Sequence, residues 1–146
     1  MPIENESLAF GGFESQTLDD EHENMGSSFH LTERQTASYT ATIKDFTGAA
    51  LAVANISTAQ LTLALRDGTI INSRDAQDVK NTNNVTIHAT SGLLTWSIQP
   101  GDTQMIDEYA VTERHVATFD IVRATTGERI IHQIVLNIRN LKAITA

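Results

Sequence analysis

The chain has 146 residues, 40% of them hydrophobic, and carries 10 Lys and Arg against 18 Asp and Glu, a net charge of −8. That length suits one compact domain and leaves no room for a second, since domains commonly hold about 100–150 residues. The acidic balance lacks the positive field that phosphate recognition needs, so nucleic acid is not an expected partner.

Zero cysteines exclude a disulfide framework and thiolate metal sites. Met1-Pro2-Ile3-Glu4-Asn5-Glu6 places acids where an export signal places bases, so no secretory route is expected. The longest apolar run, Ala49 to Ala54, is six residues, far short of the roughly 20 that cross a bilayer as a helix. No membrane partner is expected.

Charge divides the chain. Residues 1–33 hold Glu4, Glu6, Glu14, Asp19, Asp20, Glu21, Glu23 and Glu33 and no Lys or Arg, which accounts for the whole −8; the remainder is balanced, 10 basic against 10 acidic. Phe10-Gly11-Gly12-Phe13 and Gly26-Ser27-Ser28 punctuate this segment, and it keeps no sustained period of 2 or 3.6. Residues 1–28 read as an acidic arm and residues 29–146 as the domain. Extended at about 3.3 Å per residue, such an arm could reach a neighbouring subunit. Phe10, Phe13, Asp19, Asp20, Glu21 and Glu23 are its candidate partner-binding residues.

From residue 37 the pattern is strand, turn, strand. Ala37, Tyr39, Ala41 and Ile43 alternate with Ser38, Thr40, Thr42 and Lys44, the signature of a half-buried strand, and Asp45-Phe46-Thr47-Gly48 then turns the chain. Leu61, Leu63 and Leu65 repeat the alternation. Asp67-Gly68 predicts a type I′ hairpin returning through Thr69–Asn72. Asn72–Asn84 predicts a long polar loop with one helical turn capped by Asp75. Val85, Ile87 and Ala89 open the next strand, and Leu94, Trp96 and Ile98 share the inner face of another. Pro100 to Asp107 predicts a short helix crossing between sheets. Two long strands finish the chain: His115, Ala117, Phe119 and Ile121 share one face, and Ile130, His132, Ile134, Leu136 and Ile138 another.

Seven alternating strands with a mid-chain tryptophan and no long helix predict an all-β fold, an immunoglobulin-like β-sandwich, with a jelly roll as the alternative. Tyr109 is the candidate for a tyrosine corner. The strand followed by Asp45-Phe46-Thr47-Gly48, Leu51, Ile56 and Gln60-Leu61-Thr62-Leu63-Ala64-Leu65 resembles the opening of the immunoglobulin-like domains of phage baseplate upper proteins. Gly68 to Val79 followed by Gly92 to Asp102 is similar to small tailed-phage virion proteins. The resemblance covers residues 37–142. It implies a virion structural protein docking on other virion proteins, with no catalytic residues to carry over.

The five histidines, His22, His30, His88, His115 and His132, show no zinc-ligand spacing. Pairing the last two strands across Thr126-Gly127 predicts His132 beside Ile121 and His115 beside Ile138, so these two should not meet. Asp75, Asp78, Asn81, Asn83 and Asn84 offer hard oxygens without the spacing of a calcium loop. No Gly-x-Ser-x-Gly elbow or thiol is present. No enzyme activity, cofactor or metal is expected. The sequons at Asn55 and Asn84 matter only on a secretory route.

One feature exceeds a plain sandwich. The last strand carries Ile131 and Val135 on its second face, and its neighbour adds Val116 and Val122 there, which predicts a covered face and makes Ile131 and Val135 candidate partner-binding residues. The expected role is a non-enzymatic accessory protein of a tailed-phage virion, in capsid decoration or at the neck or tail. It would be made in the host cytoplasm and held in multiple copies or as a homo-oligomer against other virion proteins. A carbohydrate-binding or adhesive module is the alternative.

Overall fold

The computed structural model describes residues 12–19 and 28–141. Over these, nine strands form: β1 (Gly12–Asp19), β2 (Ser28–Thr32), β3 (Ala37–Lys44), β4 (Ile56–Ala64), β5 (Gln77–Asp78), β6 (Val85–Ile87), β7 (Leu93–Ile98), β8 (Thr112–Arg123) and β9 (Arg129–Arg139). They make a four-stranded sheet in the order β1-β3-β7-β6 and a five-stranded sheet in the order β2-β9-β8-β4-β5. The fold is an all-β sandwich. Lettered A, A′, B, C, C′, D, E, F and G in chain order, the strands run A-B-E-D in one sheet and A′-G-F-C-C′ in the other, the immunoglobulin arrangement with a divided first strand.

The period-2 residues of each strand meet between the sheets. Tyr39, Ala41 and Ile43 from β3 and Leu94, Trp96 and Ile98 from β7 are buried against Leu61, Leu63, Ala117, Phe119, Ile121, Ile134, Leu136 and Ile138. Tyr39 and Phe119 stack across the middle at 6.2 Å, with Trp96 edge-on to Phe119 at 5.8 Å and Phe29 edge-on to Tyr39 at 5.8 Å. Strands β3 and β8 are the pair an antibody domain joins by its cystine, so aromatic packing spans that place here. Burial pushes the Tyr39 phenol above its ordinary titration range.

Several local expectations are corrected. Residues 12–19, expected in the arm, form the edge strand β1, antiparallel to β3 from Gly12↔Lys44 to Asp19↔Ser38. A bulge between Glu14 and Thr17 breaks the alternation, so Phe13 enters the core and Gln16 three residues later reaches Tyr39 and His132. The strands number nine against the expected seven because β1, β2 and Gln77–Asp78, which pairs with Gln60 and Leu61, are gained and the Thr69–Asn72 strand is lost. No helix forms over residues 100–107, which are turns and bends, or after Asp75, where a bend leads into β5. Thr69–Asn72 supplies only a bridge, Ile70 to Ala64.

The Asp67-Gly68 turn is not type I′. Gly68 is left-handed (φ +96°) while Asp67 is not, and the Gly68 N–H donates to the Leu65 carbonyl at 2.9 Å, which is a three-residue loop closed by a left-handed glycine. The β8–β9 register is shifted by two from the expectation: His132 faces Phe119 and His115 faces Leu136. The chain turns through Ala124–Gly127, with the Arg123 N–H donating to the Glu128 carbonyl, rather than on a two-residue Thr126-Gly127 loop.

Candidate functional site

The residues proposed for partner binding fall into three groups. Phe10, Asp20, Glu21 and Glu23 lie outside the described residues. Asp19 is the last residue of β1, in register with Ser38. Phe13 is buried, 5.4 Å from Phe119 and stacked on His132 at 4.6 Å. It is a core residue of its own chain. Gln16 secures the strand further, its Oε1 accepting from the Tyr39 hydroxyl at 2.8 Å and from His132 Nε2 at 2.9 Å. Burial lowers the His132 pKa below its ordinary value.

Ile131 and Val135 do lie on the outer face of the five-stranded sheet. Ile131 is 56% exposed and Val135 half-buried. Cross-strand register sets Ala64, Val116 and Val135 in one row and Gln60, Asp120 and Ile131 in another. Between them run Thr62, Thr118 and Gln133, with Gln133 Nε2 donating to Thr118 Oγ1 at 3.1 Å. Beside Ile131, Arg129 bridges Asp120 at 2.6 Å. The apolar positions are thus interleaved with polar pairs, and the face is mixed rather than continuously apolar.

A buried polar centre, unnoticed in the sequence, joins the loop after Ile71 to the turn after β7. Arg74 is 2% exposed and Asp102 fully buried. Asp102 Oδ1 accepts from Arg74 Nε at 2.6 Å and Asn72 Nδ2 at 2.8 Å, and Oδ2 accepts from Arg74 Nη2 at 3.1 Å and the Gln99 N–H at 2.9 Å. Arg74 also donates to Gln77 Oε1, the Asn83 carbonyl and Asn84 Oδ1. Left-handed residues at Asn72, Ser73, Ala76, Asn81, Asn83 and Asn84 bend the loop around the guanidinium. A Cβ at Gly101 would sit 2.8 Å from Asn72 Oδ1, so a side chain there would have to shift the Asn72 amide that donates to Asp102. Both Asp102 carboxylate oxygens accept two hydrogen bonds from within the chain, so the arrangement is a clamp between the loop and the turn.

The clamp continues into the loop after it. His115 is buried, with Nδ1 2.8 Å from the Asp102 carbonyl and Nε2 2.7 Å from Glu113 Oε1. The Glu113 carboxylate also accepts the Ile106 and Asp107 N–H groups, each at 2.8 Å. Burial alone would raise the Glu113 carboxyl, but those amides and the His115 ring outweigh it and hold it below its ordinary range. Among the described residues, no three His, Asp or Glu side chains converge as a metal site.

That loop carries the most exposed apolar residues of the described chain. Tyr109 is 95% exposed, Val111 64% and Ile106 46%, and Leu141, past the end of β9, is 46% exposed. Tyr109 therefore forms no tyrosine corner. Of Met105 and Ile106, both within the stretch expected as a short helix, only Met105 is buried. The signal that could have found the patch is Tyr109 and Val111 standing just before the alternation of β8 begins.

No family model and no curated protein matches this chain. Among solved structures it is similar to the crystal structure of domains 4 and 5 of the S-layer protein SbsC, at 13% identity and a TM-score of 0.32. That match covers 87% of this chain, which spans about half (52%) of the other.

Proposed function

We propose that this chain is a non-enzymatic structural accessory protein of a tailed-phage virion, seated among other virion proteins in capsid decoration or at the neck or tail. The observation that carries the reading is the run of turn and strand segments from Asp45 to Asp102 that resembles virion immunoglobulin-like domains. These segments fall on the β3–β4 connection, β4, the clamped loop and β7 of an immunoglobulin-ordered sandwich. Its polar centre is internally satisfied, and its exposed apolar side chains, Ile131 among them, stand on rigid strands and bonded loops suited to protein contact.

Docking is assigned to the sheet face bearing Ile131 and Val135 together with the acidic N-terminal residues, Phe13 excepted because it is spent on the core. The test is recovery of particles by density gradient from cells carrying the gene, with mass spectrometry for this chain. Co-sedimentation with particles, reduced in an Ile131→Glu variant of unchanged melting temperature, is the expected result. Complete absence from purified particles would overturn the reading.

A further inference from the structure

The end of the sandwich formed by residues 104–114, the Leu65–Gly68 turn and Leu141 concentrates exposed apolar side chains. Four of the seven exposed large hydrophobic residues of the described chain gather there: Ile106, Tyr109, Val111 and Leu141, against Phe46, Leu93 and Ile131 elsewhere. Their exposure is not a consequence of a slack loop. The Tyr109 N–H donates to Asp107 Oδ1 at 3.0 Å, and the Ala110 N–H to the Asp107 carbonyl at 3.2 Å. Asn140 Nδ2 donates to the Glu108 and Ala110 carbonyls at 2.7 and 2.8 Å, while its N–H donates to the Val111 carbonyl at 2.8 Å. With the Glu113 carboxylate on the Ile106 and Asp107 amides, the ridge is fixed before any partner arrives. A fixed ridge forfeits little entropy on docking.

Two shallow clefts share Asp107. One, of about 360 Å³, is lined by Gln104, Ile106, Glu108 and Tyr109 itself; the other, of about 450 Å³, by Leu65, Arg66, Asp67, Ala110, Glu113 and Arg114. Knob and hole are therefore neighbours on one surface, as an isologous two-fold contact demands. The charges have the same property. Glu108 on the ridge and Arg66 and Arg114 at the cleft are exposed, and Asp67, Asp107 and Glu113 line the same cleft, so the patch carries both signs and a two-fold copy can set Glu108 against the two arginines. A partner of single charge sign would meet repulsion over half of the patch.

We propose that this end of the sandwich is a self-association surface, Tyr109 of one copy seating in the cleft bordered by Leu65, Arg66 and Arg114 of a second copy. The inference stands apart from the virion reading, since it concerns the chain alone. Sedimentation velocity of the full chain, in a concentration series reaching about 1 mM where weak interfaces populate, tests it. The wild type should dimerise, and Tyr109→Ser should weaken the dimer at least about tenfold with its melting temperature unchanged. Glu108→Arg and the double variant Arg66→Glu, Arg114→Glu should each be monomeric, and their mixture should associate. A wild type that stays monomeric throughout, a Tyr109→Ser chain that dimerises as well as wild type, or a mixture that fails to associate would each overturn the proposal.

Discussion

Two segments read alike in the sequence, the N-terminal residues 12–19 and the loop 72–84, both polar and without sustained periodicity. The sandwich fastens them by opposite means. Among the described side chains of residues 12–19, Phe13 and Gln16 hold the strand to the core, on an otherwise regular antiparallel edge. Residues 72–84 are held by one buried cation, Arg74, around which the backbone adopts six left-handed residues. Polar composition alone does not mark a segment as detached; one inward residue with a partner is enough to dock it. The two anchors should differ in what their loss costs, since a stranded buried charge is worse than a vacated apolar site.

The largest effect is therefore expected at the clamp. Asp102→Ala leaves Arg74 buried and unpaired and should destabilise by about 3–5 kcal/mol, read by chemical denaturation. Pairing Asp102→Leu with Arg74→Met should recover a substantial part, because apolar replacement of a whole buried ion pair is often close to neutral. At the other segment, Phe13→Ala should cost about 1.5–3 kcal/mol. Truncation of residues 2–19 should lower the melting temperature for the same reason, and a truncated chain of unchanged midpoint would mean that β1 adds nothing to the sandwich.

A smaller effect separates the segments by pH. His132, beneath Phe13, is held below its unfolded value of 6.5 by burial, so the unfolded chain takes up its proton first as the pH falls. The stability that the neutral ring contributes is complete above that value, declines as the pH drops through it, and levels off once the native ring is protonated. The wild type should lose more stability than His132→Phe between about pH 7 and 5, and equal losses would mean that the ring is solvated. Ile131→Thr, on the outer face, should change stability by no more than about 0.5 kcal/mol, measured by the same denaturation.

Where alternation was unbroken, the sequence read true: β3, β4, β7, β8 and β9 were all legible, and Trp96 is fully buried as its register required. β1 was not legible because its bulge sets Phe13 and Gln16, both turned toward the core, three apart. The clamp was hidden because Arg74 and Asp102 are 28 residues apart and neither lies in a periodic run. The two-residue error in the β8–β9 register came from choosing Thr126-Gly127 as the turn centre, when Gly127 instead closes a longer loop in the left-handed conformation (φ +72°). Of the proposed contact residues, Ile131 was legible from strand register. Tyr109 was not, since a loop side chain shows its exposure only once the backbone around it is placed.

The claim on which the comparison rests is that residues 12–19 belong to the folded sandwich, and hydrogen exchange of the full chain measures it directly. Amides of Gly12–Asp19 that face β3 should exchange far more slowly than those of an unstructured chain, and Phe13→Ala should accelerate them while leaving the β8 and β9 amides protected. Exchange across Gly12–Asp19 at the unstructured rate in the wild type would contradict the account.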